Sequence, residues 1–234
     1  MKDYILESNY KHSNNRKEVY MLSGQIPIYM INKIASNIDI SSVLDIVESN
    51  VPASIISLIE GIYVGDFKEL KDRNIQAMYS DGVIYLSPFE NVAGASEEMV
   101  AGNIAHELAH ALEENFGHQI YEDEKIKKEY DGKKKRLFHL LKSEGFSFPR
   151  KFLFDDRYVD ELDMFLYNEV GYDRLSLLIP GLFTSPYSVT SMREYFANGV
   201  EDYLLGDVSH LKQICPVLFN KIEDIIEEME REDF

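Results

Sequence analysis

The segment from Ser96 to Gly117 constrains the fold more than any other part of this chain. Val100, Ile104, Leu108 and Leu112 recur every four residues along it, so they share one helix face and need a core to cover them. Ser96 suits the N-cap, and Glu97 and Glu98 fall in the first turn, where the helix dipole favours anions. Phe116-Gly117 reads as the stop. The rest of the chain can supply the cover. Of its 234 residues 45% are apolar and 28% charged, the balance of a packed domain rather than of a disordered one.

What flanks this helix is mixed in type. Ile75 to Ser87 places Asp81-Gly82 between two short β-rich runs, a hairpin signal, because primed turns need positive φ and glycine adopts it without strain. Ile62 to Phe67 is strand-like in composition. Ile31 to Glu60 holds two apolar-periodic stretches broken near Asn50 to Pro52, which read as a helical pair. Residues 1–30 give mixed signals, and 1–60 is taken as a helical N-terminal region. Downstream, 119–185 is long and irregular, Thr190 to Leu205 reads as a helix ended by Gly206, and Ile222, Ile225, Ile226 and Met229 mark an amphipathic last helix with an acidic outer face. The expectation is an α+β fold, with residues 61–234 as its main domain.

The net charge of −17 argues against nucleic acid and anionic membranes as partners. Eight of the 24 basic residues lie between Lys125 and Lys142, but no aromatic interleaving accompanies them, so a solvated helix face or loop is the expectation. No apolar run is long enough to span a bilayer. The first eighteen residues lack the apolar core of a signal peptide, so a cytoplasmic location is the default, with export by another route left open. The lone cysteine, Cys215, sits in an apolar context and reads as a small buried hydrophobe.

Chemistry enters with HELAH, His106 to His110. Four residues is about one helical turn, so both imidazoles leave one face and can reach one zinc ion at about 2.0–2.1 Å. Glu107 stands beside that ion without ligating it, where it can take a proton from an attacking water. This is the metallopeptidase reading of H-E-x-x-H.

A catalytic zinc needs a third protein ligand. Glu113 and Glu114 continue the same helix, and one straight helix cannot wrap three ligands round one ion. His118 lies about 18 Å along the axis from His106 unless the chain reverses at Gly117. A second element must supply the ligand, from Glu161, Glu169 or Glu194. Glu194 is best placed, in a well-formed helix with Tyr195 and Phe196 to seat it.

HELAH, followed by S-P-Tyr187-S-V-T-S-M-R-Glu194-Y-F-A and by the tail LKQICPVLFNKI, resembles the anthrax lethal factor-like metallopeptidases, the group that includes the clostridial Pro-Pro endopeptidases. The resemblance covers roughly a third of the chain. It implies a zincin-like α+β domain with a short twisted sheet, an active-site helix and C-terminal helices. It implies Glu194 as the third zinc ligand, and Tyr187, seven residues earlier, as a group that stabilises the transition state. Seven helical residues is close to two turns, so the two would share a face. Where the family carries a second glutamate this chain has Asn198, which can hydrogen-bond a ligand histidine but supplies no carboxylate. Against that resemblance, the 88-residue spacing from His106 to Glu194 makes about 119–185 an insertion.

The expectation is a zinc endopeptidase acting on a peptide or protein substrate, with the strand Val83 to Ser87 holding that substrate in extended form. Two rivals stand beside it. One is a catalytically silent binding or effector module on the same fold, against which the presence of Glu107 argues. The other is an acidic scaffold in which HELAH is accidental.

Overall fold

A computed structural model describes residues 19–153 and 155–232. Five strands form one mixed sheet: β1 Val19–Leu22, β2 Ile26–Met30, β3 Gly61–Val64, β4 Ala77–Ser80 and β5 Val83–Leu86, in the order β1-β2-β3-β5-β4. The three inner strands β2, β3 and β5 run parallel, and each outer strand pairs antiparallel with its neighbour.

This topology follows from local sequence. Parallel neighbours need a crossover. Between β2 and β3 it is made by helices α1 (Ile40–Asn50) and α2 (Ala53–Ile56), parted by Val51-Pro52 where the sequence signalled a break. The Asp39 carboxylate caps α1 by accepting from the Ser41 and Ser42 N–H groups. Between β3 and β5 the chain forms α3 (Lys68–Arg73) and then β4. The β4–β5 turn is the expected two-residue hairpin, with Asp81 at φ 51° and Gly82 at φ 77°.

Against the sheet lies α4, Glu97–Tyr121, capped by the Ser96 hydroxyl. Its stripe of Val100, Ile104, Leu108 and Leu112 is fully buried, in one cluster with Ile28, Ile62, Ile84 and Leu86 of the sheet and Val43 and Val47 of α1. The remaining helices are α5 (Lys125–Ser143), α6 (Asp160–Met164, continuing as π-helix over Phe165–Val170), α7 (Tyr172–Leu178), α8 (Met192–Leu205), α9 (Val208–Ile214) and α10 (Pro216–Glu232). Ile222, Ile225, Ile226 and Met229 of α10 are buried, as their spacing predicts. Among the described residues no helix is long and apolar enough to cross a membrane.

Four expectations need correction. Residues 19–60 are helical only in part: 40–50 and 53–56 are the expected helical pair, but 19–30 are two strands, and β2 ties them into the sheet beside β3. The part of that reading that falls on 1–18 lies outside the described residues. The α4 helix runs on past Gly117 to Tyr121, since glycine can end a helix but does not oblige it to. The strand Val83 to Ser87 has no free edge, because β5 lies between β3 and β4, and of the two hairpin strands it is β4 that lies at the sheet's edge. The basic run is a helix, but not simply a solvated one. Lys133 and Lys134 are buried, with Lys133 Nζ donating to the Leu182 and Ile214 carbonyls and Lys134 Nζ to that of Asp155.

Candidate metal centre

Two helices build the site. On α4, the imidazoles of His106 and His110 leave the same face, with ring centroids 5.1 Å apart. Across from them stands α8, whose first turn is fixed by the Ser191 hydroxyl accepting from the Glu194 N–H at 3.1 Å. Ser191-x-x-Glu194 has the spacing of a capping box, yet the glutamate carboxylate turns away from the cap. It faces the histidines instead: Glu194 Oε2 is 3.0 Å from His106 Nε2, and Oε1 is 3.8 Å from His110 Nε2. One donor atom from each of the three residues lies within 4.8 Å of the other two, an arrangement that could hold a metal ion.

The other nitrogen of each ring is also spoken for. His106 Nδ1 is 3.3 Å from Glu201 Oε2, and His110 Nδ1 is 3.4 Å from Glu113 Oε2. Glu113 is buried and held in turn by the Tyr121 hydroxyl at 2.6 Å and by Arg193 Nε at 2.7 Å. Burial works against its charge, but the bonds from His110, Tyr121 and Arg193 outweigh that and keep its carboxyl below the usual range.

Glu107 is only 7% exposed. Its Oε2 accepts the Tyr79 N–H of β4 at 2.6 Å. Burial pushes its carboxyl up, although His110 and His106 oppose the shift. Burial also disfavours a charge on His106, but Glu194 and Glu201 override it and hold the imidazole up to about 10. Three carboxylates thus make this spot favourable for positive charge, whether a proton or a cation fills the role.

Glu107 therefore lies beside His106 and His110 and next to β4. Tyr187 comes close as well, its ring 6.4 Å from that of His106, but not by the route expected. It sits in a separate turn of 3-10 helix, Tyr187–Val189, so it shares no helix face with Glu194. Burial and the nearby Glu194 carboxylate push its phenol up.

Asn198 does not touch a ligand histidine. Its Nδ2 donates to the Glu194 carbonyl at 2.8 Å, and its Oδ1 accepts from the Ser185 hydroxyl at 2.5 Å. One turn beyond Glu194 is too near the start of α8 to reach over the imidazole, whereas Glu201, two turns on, does reach. The other third-ligand candidates are elsewhere. His118 is exposed on α4 and pairs with Glu122 at 3.1 Å, Glu161 pairs with Lys151 at the surface, and Glu169 is exposed.

Beside the triad opens a cleft of about 470 Å3, bordered by Tyr79, Ser80, His110, Tyr121 and Arg193. It reaches the end of β4 at Tyr79 and Ser80, and the ladder shows which backbone groups of that strand turn away from β5. The Ser87 N–H donates to the Gln76 carbonyl, so residues 76, 78 and 80 pair with β5 while Ala77 and Tyr79 turn their backbone groups outward. The Tyr79 N–H is the one that holds Glu107.

Compared with models of protein families, with curated proteins and with solved structures, the chain shows no match.

Proposed function

We propose that this chain is a zinc-dependent endopeptidase with a zincin-like fold, of the lethal factor-like kind that its motifs resemble. The observation that carries the reading is the meeting of His106, His110 and Glu194 around one point, with Glu107 beside it and a cleft along a sheet edge leading to it. Two imidazoles and one carboxylate form a three-ligand set typical of catalytic zinc, and the buried negative charge around them suits a dication. When bound there, zinc supplies Lewis acidity to the scissile carbonyl and to the attacking water.

The protein groups divide the remaining work. The edge of β4 at the cleft takes the substrate as an added strand through the outward-facing Tyr79 carbonyl. Glu107, anchored through one oxygen by the Tyr79 N–H, uses the other to take a proton from the attacking water and hands it to the leaving amine. Its burial makes it a better base than an exposed carboxylate. The Tyr187 hydroxyl donates to the oxyanion as the carbonyl becomes tetrahedral. The amine leaves and the carboxylate product is released, with the proton balance closed through Glu107.

The deciding experiment is elemental analysis of purified protein, wild type beside Glu194→Ala, followed by a peptide-library cleavage screen. About one zinc per chain, lost or weakened in the variant, supports the site. Wild-type protein that takes up no zinc overturns the reading.

A further inference from the structure

Glu201 lies outside both HELAH and the Glu194-Tyr195-Phe196-Ala197 segment. It lies seven residues beyond Glu194, so both carboxylates leave the same face of α8. They bracket one ring: Glu194 meets His106 at Nε2, and Glu201 meets it at Nδ1, 3.3 Å away. A neutral imidazole carries one N–H and one lone pair. A carboxylate on Nδ1 keeps the hydrogen there and leaves the lone pair on Nε2, toward His110 and Glu194.

The approach passes close to a glycine. Gly102 stands one turn before His106 on α4, in the path of the incoming side chain. A Cβ there would meet Glu201 Oε1 at 3.0 Å, tighter than ordinary van der Waals contact. Gly102 has nothing to do with helix formation, where glycine is the poorer choice by about 1 kcal/mol. Its use is the gap it leaves.

We propose that Glu201, admitted by Gly102, is the positioning residue of His106, doing from the third turn of α8 what Asn198 in the second turn does not. The inference rests on the zinc reading above. It concerns orientation only: Glu201 touches neither substrate nor the reacting atoms.

The test is zinc affinity of the full-length protein, read by competition with a chromophoric chelator, with urea unfolding of the metal-free forms as a control. Glu201→Ala weakens zinc binding about 10- to 100-fold, the usual effect of removing an outer partner of a ligand histidine. Glu201→Gln, whose amide oxygen can still accept from Nδ1, recovers part of that loss. Gly102→Ala, which crowds the end of the Glu201 side chain by a few tenths of an ångström, weakens binding by no more than Glu201→Ala, and the double variant binds no worse than the poorer single one, because both changes act on the same contact. Metal-free Glu201→Ala still unfolds in one cooperative urea transition, at a somewhat lower midpoint because the charged His106 loses a partner, so the zinc titration reads folded protein. If Glu201→Ala binds zinc within about threefold of wild type, or if the two losses add, the proposal is overturned while the zinc site stands. Wild-type protein that binds no zinc overturns both. Should Gly102→Ala fail to fold, the Glu201→Ala and Glu201→Gln pair still decides.

Discussion

Glu107 and Tyr187 carry the chemistry in this reading, and they are separable by experiment. Glu107 contributes no ligand atom, so Glu107→Gln should retain zinc while peptide cleavage falls about 10²- to 10⁴-fold, the range for loss of a general base. Equal loss of zinc and of turnover would mean the glutamate holds the site together. Tyr187→Phe removes one hydroxyl donor. It should lower kcat about 10²-fold with KM and zinc affinity nearly unchanged. A raised KM with kcat preserved would make Tyr187 a packing residue, in keeping with its ring contact to His106. At this scale the sequence was informative where geometry is local. One helical turn fixes His106 against His110 whatever the rest of the chain does. It was uninformative about the partners of Nδ1, because the chain has 24 glutamates and nothing in the neighbourhood of His106 says which of them returns to it from 95 residues away. Gly102, a glycine inside an otherwise good helix, was the one available hint.

Among the elements, the hairpin and its turn were legible because Asp81-Gly82 encodes its own positive φ angles. Which of its two strands lies at the edge was not. That depends on β3 pairing with β5, a non-local event that the alternation of residues cannot report. The consequence is specific to β4. If substrate adds to this edge, N-methylation of alternate backbone positions in a cleaved peptide should raise KM about 2- to 10-fold each, the worth of one hydrogen bond, while the intervening positions tolerate it. Uniform tolerance would exclude strand addition. The seating of α8 gives a second test. A Cβ at Gly199 would come within 2.4 Å of Leu218 Cδ2 on α10, and a buried leucine in a filled core has little room to yield. Gly199→Ala should therefore lower unfolding free energy by about 1–3 kcal/mol in urea titration, despite the better helix propensity of alanine. An unchanged or raised stability would show that α8 and α10 can part without penalty.

For the whole molecule, the pH dependence of stability brings the segment 119–185 into the argument. The sequence made its lysines a surface feature; folding buries Lys134 on α5, where desolvation holds its amine down to about 8 against partial compensation from Asp131 and Asp155. An unfolded lysine keeps its proton to about pH 10.4. Between those values the unfolded chain binds the extra proton, so this group makes stability rise with pH across roughly 8 to 10.4 and is a liability below that window. Cys215 acts in the opposite sense. Its thiol is raised by burial, so above about pH 8.5 the unfolded chain ionises first and stability falls. Tyr79, pushed up to about 12 by burial and by Glu114, has the same sign above about pH 10. The wild-type curve sums these opposed slopes and the self-repulsion of a chain at −17, so by itself it identifies no residue. The difference between wild type and Lys134→Met does, since every other group is common to both. That difference should move in favour of wild type by roughly 1 to 3 kcal/mol as pH rises from 7 to 10.4. The lost bond to the Asp155 carbonyl adds only a constant offset. A difference that stays flat across the window would mean that Lys134 keeps its proton in the folded chain, and that the three aspartates beside it, Asp131, Asp155 and Asp156, compensate its burial in full.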